Sequence, residues 1–203
     1  MGSSREERLR AQAEADARRR RNGRLVALVI VVVAAAILVF AFTATTGPGE
    51  PSKQDLSRLR TAAAAAGCAV SAFPTEGREH TTRPVTYRTN PPTSGPHNPV
   101  PAPDAVYRKA PPKENVVHSL EHGRIALQYR PDTPPAVRAA LRQVYGEFTH
   151  HMLLFPNNTG MDYEVAATAW KHRLGCAHFN ARVPEALRRF RDAYRDRGPE
   201  QVP

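Results

Sequence analysis

The chain has 203 residues, of which 41% are hydrophobic and 24% charged, and its net charge is +10. This length allows one domain of ordinary size plus an appendage, and the hydrophobic content excludes a largely disordered protein. The 19 prolines predict that loops and extended connections take a large share of the domain.

An apolar stretch near the amino terminus predicts a membrane span. Residues 25–42 are 18 consecutive uncharged and almost wholly apolar residues, about 27 Å as a helix, which is close to the hydrocarbon thickness of a bilayer. A buried core helix would instead carry an apolar stripe and a polar face. We therefore expect a single transmembrane helix over residues 25–43 that anchors the protein in the lipid bilayer.

The charges beside this stretch predict its orientation. Residues 1–24 carry eight arginines and four acidic residues, a net charge of +4. By the positive-inside rule this head stays in the cytosol, and the rest of the chain is extracytoplasmic. Anionic lipid at the cytosolic face explains such a head, so no nucleic-acid partner is needed. A cleaved signal peptide ending near Val39 and Ala41 is the alternative, but the apolar run continues past these residues and the head is long for a signal peptide.

The segment after the span predicts a linker followed by one domain over residues 52–203. Glycine and proline dominate the end of the linker, residues 44–51. Ser52 and Asp55 have the spacing of a capping box, and apolar residues at helical spacing predict a first helix over Lys53–Ala66, closed by the following glycine.

The middle of the domain predicts two strands and a helix. A strand is expected around Val85 and Tyr87, and a core strand at residues 124–129, where apolar and polar residues alternate. Thr133 is expected to cap a helix that begins at Pro134. Its apolar residues repeat at helical spacing: Val137, Leu141, Val144 and Phe148.

The carboxyl-terminal part predicts two more strands and a last helix. Residues 152–155 and 163–170 are expected to form a hairpin. The helix begins at Pro184 and buries one stripe: Val183, Leu187, Phe190 and Tyr194. These elements predict a compact extracytoplasmic α+β domain with a small sheet and about three helices. Thioredoxin-like and ferredoxin-like strand orders both fit them.

Cys68 and Cys176 are the only cysteines, and both follow the predicted span. Oxidising conditions outside the cytosol let disulfides persist, so we expect these two to be joined. The bond would close a loop of about a hundred residues and stabilise the domain through chain entropy. A redox-active pair is the alternative, but the CxxC spacing that lowers a thiol pKa is missing.

Two segments resemble neither ordinary core nor ordinary loop. Residues 90–97 (NPPTSGPH) form a stiff turn that ends in a histidine. Residues 118–123 (HSLEHG) hold His118, Glu121 and His122. In a helix both histidines lie on one face with Glu121 beside His118, whereas in a strand they share a face and Glu121 points away. Either geometry presents two imidazoles together.

The simplest interpretation of these residues is a transition-metal site. His97, His118 and His122 would supply three imidazole ligands to zinc or copper. His151 and Met152 are weaker candidates, because Met152 alternates as core residues do and His151 can interact with the dipole of the preceding helix. His150 belongs with His151, whereas His80, His172 and His178 have no such context and are expected to be surface or structural residues.

Two alternatives remain open. The HxxEH pattern of residues 118–122 is also the motif of inverted zinc peptidases, with Glu121 as the general base of a metal-dependent hydrolase. A glycine and a strand follow at once, however, in place of the long helix that such enzymes have. Without a metal, the same region would be a non-catalytic interaction module of the cell envelope with a ligand pocket formed by Asn90, Ser94 and Ser119.

At these two segments the chain resembles an uncharacterised bacterial family of membrane-anchored proteins, the domain of unknown function 3105 (DUF3105). The resemblance rests on the NPPTSGPH run ending at His97 and the HSLEHG run from His118 to Gly123, and it covers roughly residues 68–176. It implies a shared domain with a site at these residues, but no particular reaction.

Overall fold

The computed structural model describes residues 49–200 and residue 202. The predicted transmembrane helix at residues 25–43 and the basic head before it lie outside this part of the chain. Among the described residues, no helix combines the length and the apolar character needed to cross a membrane.

The described residues form an α+β domain with four helices and a six-stranded sheet. The helices are α1 (Lys53–Ala66), α2 (Lys113–Glu121), α3 (Pro135–Glu147) and α4 (Val183–Tyr194). The strands are β1 (Cys68–Ala72), β2 (Ala105–Val106), β3 (Ile125–Tyr129), β4 (Met152–Pro156), β5 (Val165–Ala169) and β6 (His172–Cys176). Their order in the sheet is β1-β6-β5-β3-β4-β2.

The sheet is built around β3. Helix α3 connects β3 to its parallel neighbour β4, and β5 runs antiparallel to β3 on the other side. Because β4 lies directly beside β3, the order is not the split βαβ of ferredoxin-like domains, which places another strand between them. Of the two predicted orders, the thioredoxin-like one agrees with this sheet.

The predicted hairpin of residues 152–155 and 163–170 is wrong. Strand β4 pairs with β2 and β3, while β5 forms the hairpin with β6. The sequence prediction missed β6 because Arg173 and Gly175 interrupt its apolar pattern. In the tight turn between β5 and β6, Lys171 has a φ of 63°.

Helices cover both faces of the sheet, so all five residues of β3 are buried. On one face, α3 packs against β3 and β4, α4 packs against β5 and β6, and α1 packs against β1 and α4. Leu59, Leu141 and Phe190 belong to the apolar core on this face. On the other face, Val117 and Leu120 of α2 pack against alternate residues of the same strands. Since α2 carries the HSLEH segment, the candidate site lies on this second face.

The predictions for α1 and α4 are confirmed. The side-chain oxygen of Ser52 accepts a hydrogen bond from the Asp55 N–H at 3.0 Å, and α1 has the predicted bounds. Helix α4 begins one residue before the predicted start, a difference within the usual uncertainty of helix ends. Its predicted stripe is buried throughout.

The predicted cap of α3 is wrong, because the Thr133 side chain does not cap the helix. The helix begins at Pro135 with Pro134 at the N-cap position, and the Thr133 hydroxyl is buried with no hydrogen-bond partner among the described residues. Phe148 follows the end of α3 and is half exposed. Its ring lies under two guanidinium groups instead of in the core.

The strand predicted around Val85 and Tyr87 is wrong, since this segment is irregular. The Val85 N–H donates to the Glu114 carboxylate at 3.0 Å, and the Tyr87 hydroxyl donates to the Pro96 carbonyl at 2.7 Å. Contacts of this kind replace a strand ladder. The short strand β2, which the sequence did not predict, forms the sheet edge instead.

The predicted disulfide between Cys68 and Cys176 is confirmed. The two residues face each other in the register of β1 and β6. Cys176 is the last residue of β6. The bond links the start of β1 to the end of β6 at one edge of the sheet.

Candidate metal centre

The turn that ends in His97 is buried, although it consists largely of proline and polar residues. Every residue from 91 to 95 is buried. Gly95 has a φ of 124°, and a Cβ there would lie 2.9 Å from the Tyr87 ring, so the turn requires glycine. The Gly95 carbonyl accepts a hydrogen bond from His97 Nδ1 at 2.8 Å. The turn thus fixes the orientation of the imidazole.

The HSLEH segment is helical, which is the first of the two geometries considered from the sequence. His118 and Glu121 lie in the last turn of α2, and His122 is its C-cap residue. Apolar neighbours anchor this helix on the sheet, so His118 and Glu121 are themselves buried. His118 and His122 are one helical turn apart and touch through their rings, with centroids 4.4 Å apart.

The structure brings His97 and His118 together with Glu121 and also with His80, which was expected to be a surface or structural residue. One potential ligand atom from each of these four residues lies within 4.8 Å of the others. We call this group the inner cluster. His80 is its only exposed member. A backbone bridge between His80 and His97 brings the His80 ring within 4.9 Å of the His118 ring, measured between centroids.

The hydrogen bonds of two rings determine which nitrogen is left for an ion. His97 Nδ1 faces the Gly95 carbonyl, and His118 Nδ1 lies 2.6 Å from the Asn98 carbonyl oxygen. A carbonyl only accepts, so both Nδ1 atoms carry the hydrogen, and in the neutral rings both Nε2 atoms are unprotonated. Metal-binding histidines are commonly oriented by such a bond from the other nitrogen.

Glu121 carries the negative charge of the inner cluster. One of its carboxylate oxygens accepts a hydrogen bond from Arg78 Nε at 2.5 Å. The other lies 2.9 Å from His97 Nε2. That second contact lacks hydrogen-bond geometry, and His97 Nε2 has no hydrogen-bond partner among the described residues. The carboxylate oxygen and the unprotonated Nε2 repel each other at this distance, and a cation bound to both would remove the repulsion.

The environment favours neutral imidazoles at the end of α2. Burial lowers the pKa of His118 below its usual value, and nearby His97 and His80 lower it further. Burial also lowers the pKa of His122, with His118 adding to the effect. Because the neutral form is the metal ligand, both rings are ready to bind a cation at neutral pH.

His122 is not a member of the inner cluster. It forms a second set with His118 and Glu200, which we call the outer triad, and whose ligand atoms again lie within 4.8 Å of one another. His97, His118 and His122 therefore do not form one group of three. Instead, His118 belongs to both sets.

The weaker candidates His151 and Met152 are separated. Met152 is fully buried in the core between the sheet and its helices. His151 lies with His150 and Asp104 in a third group of potential ligand atoms. Its Nδ1 is 2.5 Å from an Asp196 carboxylate oxygen, and the two neighbouring imidazoles are stacked.

The residues proposed for a ligand pocket all connect segments of the chain. Ser94 accepts a hydrogen bond from the Glu76 N–H, and the Ser119 hydroxyl donates to the Ala102 carbonyl. The Asn90 side chain donates to the carbonyls of residues 159 and 160. Asn90 also borders a cavity of about 320 Å³.

The sequence pattern does not indicate that His80 and Arg78 belong to the site. Both lie in the irregular segment before the NPPTSGPH turn, where no periodicity indicates which side chains point inward. The bridge from His80 to His97 is a single long-range contact, and nothing in the local sequence predicts it.

These features define the class of protein: a disulfide-linked α+β domain with a buried histidine and carboxylate cluster. Residues 78–203 match the family described as "Protein of unknown function (DUF3105)". This match covers more than half of the chain, and the protein belongs to that family, as the two sequence runs predicted. Neither a curated protein nor a solved structure matches the chain.

Proposed function

We propose that the protein binds a transition-metal ion, zinc or copper, in the inner cluster. The observation that carries this proposal is the pair of imidazoles whose Nδ1 atoms are committed to backbone carbonyls. Both rings adjoin the buried Glu121 carboxylate. This arrangement leaves Nε2 of His97 and of His118 as ligand atoms with a fixed orientation.

The chemistry of the donors favours particular metals. Imidazole nitrogen with carboxylate oxygen suits zinc and copper(II), whereas copper(I) prefers sulfur. Met152, the sulfur candidate, is in the core and offers no support for copper(I). The charges of Glu121 and Arg78 cancel. A divalent cation in the cluster would therefore be held mainly by the imidazoles.

Binding is better supported than metal-dependent hydrolysis. A general base in the HxxEH mechanism needs a carboxylate that is free to accept a proton from water. One Glu121 oxygen instead accepts a hydrogen bond from Arg78, and the other lies beside His97 Nε2, where the proposed ion would bind both. The motif also lies at the end of a helix of 9 residues and not within a long one.

We further propose that this site is extracytoplasmic and anchored to the membrane through residues 25–43, with anionic lipid as the partner of the arginine-rich head. The Cys68–Cys176 disulfide supports this location, because such bonds are rare in the cytosol. The apolar stretch and the charge asymmetry of the sequence support the anchor and its orientation.

Metal titration of the full-length protein in detergent tests the proposed function. Trp170 is the single tryptophan, and its ring centroid lies 6.1 Å from that of His97. After removal of bound metal with a chelator, we expect copper(II) to quench its fluorescence with a stoichiometry of one ion per chain. Zinc should compete for the same site, and calorimetry gives the affinity of each ion.

His118→Gln should weaken binding at least ~100-fold, since loss of a residue that only orients a ligand already costs 10- to 100-fold. His178→Gln is the matched control, because His178 is exposed and outside the three ligand groups. Wild-type protein that takes up neither ion would favour the interaction module instead. Equal affinity in His118→Gln would place any bound ion elsewhere.

A further inference from the structure

His118 offers only one nitrogen to a metal ion, yet two ligand sets adjoin it. Its Nδ1 donates to the Asn98 carbonyl, so Nε2 is the only ligand atom. That atom lies 2.9 Å from His122 Nε2. A lone pair binds one cation at a time, so the inner cluster and the outer triad cannot both hold an ion through His118.

The two sets differ in their access to solvent. In the outer triad, the Glu200 side chain is 45% exposed and that of His122 is 8% exposed, with 3.6 Å between Glu200 Oε2 and His122 Nε2. In the inner cluster, His80 is exposed, but His97 and Glu121 are almost fully buried. The outer carboxylate is thus accessible from solvent, whereas the inner one is enclosed by protein.

The carboxyl-terminal tail holds Glu200 at this position. The Glu200 N–H donates to the Glu121 carbonyl at 3.1 Å, and the Asp196 N–H donates to the Gly123 carbonyl at 2.9 Å. Gly198 lies so close to the end of α2 that a Cβ there would overlap the Glu121 carbonyl oxygen. Backbone contacts therefore place this acidic side chain next to His122.

His122 has a second nitrogen that supports a role as a ligand. Its Nδ1 is buried and has no hydrogen-bond partner in the described part of the chain. When His122 Nε2 binds a cation, the ring proton is on Nδ1, and no acceptor among the described residues is bonded to that N–H. His122 can therefore exchange its contact with His118 for a contact with an ion without breaking another hydrogen bond.

We propose that the outer triad is a loading site that receives the ion from solvent and passes it to the inner cluster. The ion keeps its bond to His118 Nε2 throughout. Its bonds to His122 and Glu200 break, bonds to His97 and Glu121 form, and no electron is transferred. This inference rests on the proposed function, because it names the route by which the same ion reaches the same site.

Glu200→Gln tests the route in the full-length protein. A group that contacts the ion only during transfer changes the barrier and not the end states. We therefore expect copper(II) association, followed by stopped-flow quenching of Trp170, to slow about tenfold, as for loss of a steering charge. Dissociation into excess chelator, extrapolated to zero chelator, should slow by the same factor, leaving Kd unchanged.

Asp132→Asn is the control, because it removes an equal charge from another exposed position outside the ligand groups; it should leave both rates as in wild type. His122→Gln should slow both rates without weakening Kd.

A weaker Kd at an unchanged association rate in Glu200→Gln would make Glu200 a ligand of the resting site and overturn the proposal. Unchanged rates would also overturn it. Failure of the proposed function has a different result, since wild-type protein would then bind no ion.

Discussion

At the scale of single residues, Glu121 is the group whose charge most needs a partner. It is 2% exposed, and Arg78, which donates to it, has a side chain that is 53% exposed. An uncompensated buried charge costs several kcal/mol, although solvent screening weakens a pair with one exposed member. In the metal-free protein, the stability of this region therefore depends on Arg78.

Arg78→Gln should reveal this dependence. We expect the free energy of unfolding of chelator-treated protein to fall by about 1–3 kcal/mol, because the carboxylate loses a charged hydrogen-bond donor. With zinc present, the difference from wild type should shrink, since the ion neutralises Glu121. Urea unfolding followed by Trp170 fluorescence measures both values.

Arg130→Gln is the control for this prediction, because it breaks an exposed pair with Asp132 and should cost less than about 0.5 kcal/mol. An equal loss with and without zinc would mean that Arg78 stabilises the fold independently of any ion at Glu121.

The residues of the site differ in how well the sequence predicts them. His118 and Glu121 lie in a short string whose helical geometry was one of two that the sequence allowed, and the structure has that geometry. His97 ends a turn whose rigidity follows from its prolines. The position of His80 depends on a backbone bridge between two irregular segments, and no local rule predicts such a contact.

At the scale of elements, the His172 side chain of β6 packs against α4. The His172 ring stacks on Tyr194 of α4, with centroids 4.1 Å apart. Burial lowers the pKa of His172 below its usual value, and the charge of Lys171 lowers it further, while Glu50 opposes the shift. The folded domain thus holds this ring neutral at a pH at which the unfolded chain would protonate it.

The free energy of unfolding should therefore decrease as the pH is lowered. In the unfolded chain a histidine titrates at about pH 6.5, and His172 titrates lower in the folded state. Between these two values the unfolded state binds more protons, so its free energy falls relative to the folded state as the pH decreases. Above the upper value the ring is neutral in both states, so it no longer changes the stability with pH.

His172→Phe keeps the stacking on Tyr194 and removes the titration. We expect the loss of unfolding free energy between about pH 7.5 and about pH 5 to be smaller in this variant than in wild type, measured by urea unfolding. His178→Gln should show the wild-type dependence, because His178 is exposed. An unchanged dependence in His172→Phe would assign the effect to other groups.

Local signals explain which elements were predicted. Helix α1 has a side-chain cap and a closing glycine, and α4 has a continuous apolar stripe, so both follow from neighbouring residues. Strand β5 pairs with β6 and not with β4, because β3 lies between β4 and β5 in the sheet. That choice is made by the packing of both sheet faces, which periodicity within one segment does not report.

At the scale of the whole molecule, the disulfide and the charge asymmetry make consistent predictions. The Cys68–Cys176 bond needs an oxidising compartment to persist. The arginine-rich residues 1–24 predict the opposite compartment for the amino terminus. Both are satisfied if residues 25–43 cross the membrane once and leave the domain outside.

Thiol labelling of intact cells tests this topology. Because both native cysteines are in the disulfide, an introduced cysteine is the single free thiol of each variant. A membrane-impermeant maleimide should label Glu50→Cys, which follows the predicted span, and should not label Ala13→Cys, which precedes it. Permeabilised cells, in which both variants should be labelled, control for the reactivity of each thiol.

Labelling of Ala13→Cys alone would reverse the orientation and place the disulfide in the reducing cytosol, where such a bond would not persist. The proposed metal site would then face the cytosolic metal pool, and its role in the cell envelope would have to be abandoned.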